Sequence, residues 1–128
     1  MSDRNGVLAL AALAARREAG LRAALARLTA ATRAAGDALA SCEREHERRR
    51  GAWQRALACS GVYARREAVQ ASRAVERERA ALAEALSRQR AAYSHLQQAE
   101  AELRQQRERL HANARKQEKL RELLAQLR

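Results

Sequence analysis

Cys42 and His46 stand four residues apart, the spacing that puts two potential metal ligands on one face of a helix. Two ligands are half of a structural zinc site, which needs four. The remaining histidines, His95 and His111, lie far along the chain, and neither HxxxH nor HExxH spacing occurs. The pair therefore reads as filler on a helical seam rather than as a metal site. Cys42 and Cys59 fall about 25 Å apart if one helix carries both, too far to bridge. Two cysteines make no disulfide framework, and a reduced, cytoplasmic setting fits them. Asp3 and Asp37 are the only aspartates, no carboxylate pair flanks a plausible cleft, and the five glycines form no phosphate-cradling loop. These absences lead to the expectation of a non-enzymatic protein with no cofactor, no metal and no small-molecule substrate.

The remaining chemistry is charge. Twenty-six basic residues against fifteen acids give a formal +11, and only Lys116 and Lys119 among the bases are lysine. Arginine makes forked contacts to carboxylate and phosphate that lysine cannot make, although a GC-rich genome gives the same bias through its Ala and Arg codons. The densest basic runs are Arg48-Arg49-Arg50 and the stretch from Arg115 through Lys116 and Lys119 to Arg121. Acids are interspersed among the bases at i, i+3 and i+4, and the base-stacking aromatics are limited to Trp53, Tyr63 and Tyr93. The uninterrupted basic region of a zipper factor is also missing. Nucleic acid is thus disfavoured as a partner. The reading preferred is a solvated, ion-paired helix surface whose surplus charge suits an acidic protein.

The elements that must carry these residues are long helices. The chain has no proline, and nearly every residue is Ala, Leu, Arg, Glu or Gln, all strong helix formers. An apolar seam in steps of three and four runs from Val7 through Leu21, Leu25, Leu28, Ala35 and Leu39 to Ala56. It fails chemically at His46 and Arg49. A second seam runs from Ala64 to Leu127, with Leu82, Leu96, Leu103, Leu110 and Leu124 on one heptad position and small residues on the other. Gln89, Gln106, Asn113 and Gln117 sit on it as polar seam residues, which cost stability and can fix register. The one convincing break is Ala58-Cys59-Ser60-Gly61.

The fold class expected is all-α, two long helices in an antiparallel coiled-coil hairpin forming a single unit over 1–128. Helix one spans about 4–58, capped by Asp3 or Asn5; the turn lies at about 59–61 and helix two at about 62–127. A three-helix bundle with a further turn at Gly36-Asp37 is the alternative, and the hairpin is preferred because the seam passes residue 36 in phase. The apolar run Val7–Ala15 is read as the start of helix one rather than a leader, since no net positive charge precedes it and Arg16, Arg17 and Glu18 follow. Folding about residue 60 sets residue i opposite roughly 120 − i. On that register Leu120, Leu123, Leu124 and Leu127 overhang helix one, and exposed leucines on a helical face suit a partner helix or groove.

A small basic Ala/Arg/Gln/Leu-rich hairpin with these features resembles the FliJ/YscO family of flagellar and virulence type III secretion. The matching features are whole-chain ones: Val7, Leu8, Leu10 and Leu13 at the start, a mid-chain turn at Cys59-Ser60-Gly61, and a charged closing helix with Gln105–Leu110 and Lys116–Leu120. The resemblance implies a stalk like that of rotary ATP synthases, inserted by its paired termini into a hexameric export ATPase. It also implies contact with the export gate protein and with secretion chaperones, reaching the inner face of the membrane only through those partners. Carried over, Arg115, Lys116, Lys119, Leu120, Arg121, Leu123, Leu124 and Leu127 become the ATPase-facing end. Arg48, Arg49, Arg50, Trp53 and Tyr63 become the surface for gate or chaperones. The rival readings are a generic coiled-coil scaffold or homo-oligomeric adaptor, which would be a stable dimer or larger, and a non-specific nucleic-acid binder.

Overall fold

The computed structural model describes residues 2–59 and 65–127, with the side chain of Ser2 excepted. The molecule is all-α. Helix α1 covers Ser2–Ala58 and helix α2 covers Arg65–Gln126. The two pack against each other as an antiparallel helical hairpin. Among the described residues no helix is long and apolar enough to cross a membrane. The expected turn at Ser60-Gly61, the start of helix two at about 62, and Tyr63 all lie outside the described residues. Asp3 and Asn5 do not cap α1 from outside; both lie within it, Asp3 in the first turn where a carboxylate faces the positive end of the helix dipole. The helix passes through Gly20, Gly36 and Gly51 without interruption, so the alternative turn at Gly36-Asp37 is not taken.

The packing divides into two units, Met1–Arg33 with Gln98–Arg128, and Ala34–Gln97. In the first, Ala14, Ala99 and Leu103 are buried together with two polar residues, Gln106 and Asn113. The amides of the polar pair cross between the helices. Asn113 Nδ2 donates to the Ala14 carbonyl at 3.0 Å, and Gln106 Nε2 donates to the Leu21 carbonyl at 3.1 Å. Gln117 Nε2 reaches both the Ala14 carbonyl and Glu18 Oε2 at 3.1 Å. The Thr32 hydroxyl donates to the Leu28 carbonyl at 2.8 Å, with the Ala99 carbonyl of the facing helix at 3.4 Å. Each buried polar group thus finds a partner, which is the condition for carrying it on a narrow seam.

The second unit is packed on alanine and left less well satisfied. Ala35 and Ala85 are its buried apolar residues. Leu39, Cys42, His46, Trp53, Val75, Glu78, Leu82, Gln89 and Leu96 are all half-buried seam positions. Among the described residues of this unit, three polar atoms are enclosed without a hydrogen-bond partner: Trp53 Nε1, Glu78 Oε2 and Gln89 Oε1. Arg49, on the seam by spacing, is exposed and turns instead to Glu45. A guanidinium cannot be enclosed on so thin a seam without a buried counter-ion.

The register differs from the expected one. The amide contacts set Asn113 against Ala14 and Gln106 against Leu21, and in the second unit Leu39 shares a groove with Gln89 and Tyr93. Residue i therefore lies opposite roughly 130 − i in each unit, about ten residues from the folding-about-60 estimate. The overhang moves accordingly. Leu120 lies in a groove with Leu10 and Leu13, and Leu124 is half-buried, so the C-terminal turns of α2 do not project beyond α1. At the start of α2, Arg65–Gln70 are all exposed.

Candidate partner-docking site

Seven ion pairs occur among the described residues, and every one joins residues three or four apart on the same helix. They decorate the surface and do not hold the helices together. Glu45 illustrates the pattern: it accepts from Arg48 and, at 2.9 Å, from Arg49. Those hydrogen bonds, Arg48 first, hold its carboxyl below the ordinary carboxylate range. Arg50 lies 3.8 Å from Glu47. The basic run of the second unit is therefore largely neutralised along its own helix. Trp53 beside it is half-buried, its indole N–H enclosed and unpartnered.

The first unit arranges its charge differently. Leu10, Leu13 and Arg17 follow one another at steps of three and four, so they share a face of α1 adjoining the seam. On α2, Lys116, Leu120, Leu123 and Leu127 share a face by the same spacing. The antiparallel register brings the two faces together around a groove of about 300 Å³. Leu10, Leu13, Ala14 and Leu120 form its apolar surface, Asn113 closes its inner end, and Arg17, Lys116 and Lys119 line its edges. No carboxylate lines it, and none of these three cations takes part in an ion pair among the described residues. Arg22 and Arg121, by contrast, are paired with Glu18 at 2.9 Å and Glu118 at 3.4 Å.

The leucines around the groove are unusually open. Leu10 is 55% exposed, Leu13 44%, Leu123 46% and Leu127 43%, with Leu8 also exposed. Scattered exposed leucines are ordinary; a contiguous set on two adjoining helix faces marks an interaction surface. Of the residues expected at this end, Lys116, Lys119 and Leu120 line the groove, Leu123 and Leu127 extend its apolar stripe, and Arg115 and Arg121 are exposed. Leu124 is half-buried. Leu10, Leu13 and Arg17 were not among the expected site residues. Their signal is present in the sequence as an apolar-apolar-basic run one position off the seam.

In comparison with known proteins, no family model, no curated protein and no solved structure matches the chain.

Proposed function

We propose that this protein is a non-enzymatic stalk or adaptor of a type III secretion export apparatus, docking on the export ATPase through the unit built from both ends of the chain. The observation that carries the reading is the apolar groove edged by three cations, Arg17, Lys116 and Lys119, that form no ion pair among the described residues, with open leucines continuing its stripe. Such a surface suits an acidic protein partner: the leucines supply buried area, and the cations steer and select. The resemblance to the FliJ/YscO family supports the choice of partner. On the same reading the protein is cytoplasmic, and it reaches the membrane's inner face through the export gate, with the basic run at Arg48–Arg50 and Trp53 available to gate or chaperones. The ion-paired state of that run favours the paired-termini unit as the main contact.

The test is the hydrolysis rate of the export ATPase of the same organism with and without this protein, at low and moderate salt. Stimulation is expected, falling as salt screens the cations. Removing residues 115–128 is a poor probe, because it would uncover Leu10, Leu13 and Ala14. The double variant Lys116→Glu/Lys119→Glu keeps the packing and is expected to abolish stimulation. An unchanged hydrolysis rate together with no association at low salt overturns the reading. A stable dimer mass in solution would then favour the scaffold.

A further inference from the structure

From the groove of the first unit we infer the form of its occupant: an acidic amphipathic helix that lies between α1 and α2 as a third helix. The inference rests on the docking reading above and specifies the partner's chemistry. Three observations point to it. The groove is bounded by two helix faces, Leu10–Leu13–Arg17 and Lys116–Leu120–Leu123, so the shape it leaves is that of another helix. Its length, eight residues along α1 from Leu10 to Arg17 and continued by Leu123 and Leu127 along α2, matches about three to four turns of a helix at 1.5 Å per residue. Its charge is of one sign: among the described residues Arg17, Lys116 and Lys119 form no ion pair and no carboxylate lines the groove.

The same charge decides between a foreign helix and a second copy of this chain. Two copies packed groove to groove would gather six cations, and no lining carboxylate, around one apolar contact that excludes water. Like charges so placed oppose association. A helix with leucines at i, i+3, i+4 and i+7 and glutamates on its flanks supplies both the apolar stripe and the missing carboxylates. Arg17 and Lys116 lie toward the inner end of the groove, near Asn113, while Lys119 is level with Leu10 and Leu13 and the open Leu123 and Leu127 continue toward the chain termini. The acids of the occupant therefore cluster at the end that lies over Arg17 and Lys116.

The probe is a fluorescently labelled 18-residue synthetic helix with a leucine stripe at those spacings, made in three forms whose flanks are Glu, Gln or Lys. Each is titrated against the full chain by anisotropy at low salt. The Glu form is expected to bind at least about tenfold more tightly than the Gln form, and the Lys form to show no binding. Leu10→Ser/Leu123→Ser alters two open side chains and is expected to lower the affinity of the Glu form at least about tenfold, with helicity unchanged. Lys116→Glu/Lys119→Glu is expected to exchange the preference so that the Lys form binds. Equal binding of all three forms overturns the inference, as does indifference to Leu10→Ser/Leu123→Ser. A dimer mass that this leucine variant returns to monomer also overturns it, by giving the groove to a second copy. ATPase stimulation without peptide binding sinks the helix-in-groove geometry and leaves the secretion reading standing. Peptide binding with no effect on the ATPase does the reverse.

Discussion

Ala14 anchors the register of the first unit because its methyl side chain leaves its carbonyl open to donors from α2. Asn113 and Gln117 both reach that oxygen, and Gln117 also reaches Glu18. A larger residue at position 14 would hold the helices apart and strand the Asn113 amide, which is 6% exposed. Glu18 ties the seam to pH. Hydrogen bonds from Arg22 first and Gln117 second, with the charges of Arg22 and Arg121, hold its carboxyl below the ordinary range. A carboxylate with a lowered folded pKa stabilises the fold above its unfolded pKa, and that contribution is lost as pH falls through the folded value. Glu18→Gln is therefore expected to lower the thermal midpoint at neutral pH, with the gap to the native chain closing as pH drops below the ordinary carboxylate range. A gap of constant size across an acid titration would show that the charge of Glu18 contributes nothing.

At the scale of elements, α1 is a continuous helix that carries three interior glycines. A Cβ at Gly20 or Gly36 would meet nothing within 4 Å, whereas one at Gly51 would meet the mobile end of Arg55 at 3.2 Å. Gly36→Ala is expected to stabilise the protein by about 1 kcal/mol, read as a higher urea midpoint with an unchanged slope. Destabilisation would mean that the backbone at 36 is not helical. The in-phase seam at 36 made this continuity legible in the sequence, and most seam positions are half-buried or buried as that spacing requires. On α1 Arg49 is the exception, because its chemistry overrides its position.

For the whole molecule, the formal +11 is spread over a surface whose seven ion pairs, among the described residues, each stay within a single helix. Exposed pairs of that kind contribute little, while unbalanced positive charge opposes the folded state. Raising sodium chloride from about 20 to about 500 mM shortens the screening length several-fold. It is expected to raise the thermal midpoint by a few degrees, because relief of repulsion outweighs the weakened pairs. A midpoint that falls with salt would show that the intrahelical pairs dominate. The same screening weakens any acidic partner's hold on Arg17, Lys116 and Lys119, so stability and binding are expected to respond to salt in opposite directions.

The sequence alone determined that the protein is two long helices with a break near residue 58, because helix formers without proline and a seam in steps of three and four admit little else. It also determined which residues line the seam and that the closing helix presents leucines beside lysines. Register was decided only by the tertiary structure. A heptad pattern nearly repeats itself when one helix slides along the other, so apolar matching cannot choose among the offsets. The choice falls to a few buried amides that must find carbonyls, and those of Asn113 and Gln106 find Ala14 and Leu21. That offset carries Leu120 back beside Leu10 and Leu13 and turns an expected overhang into a groove with Arg17 on its edge.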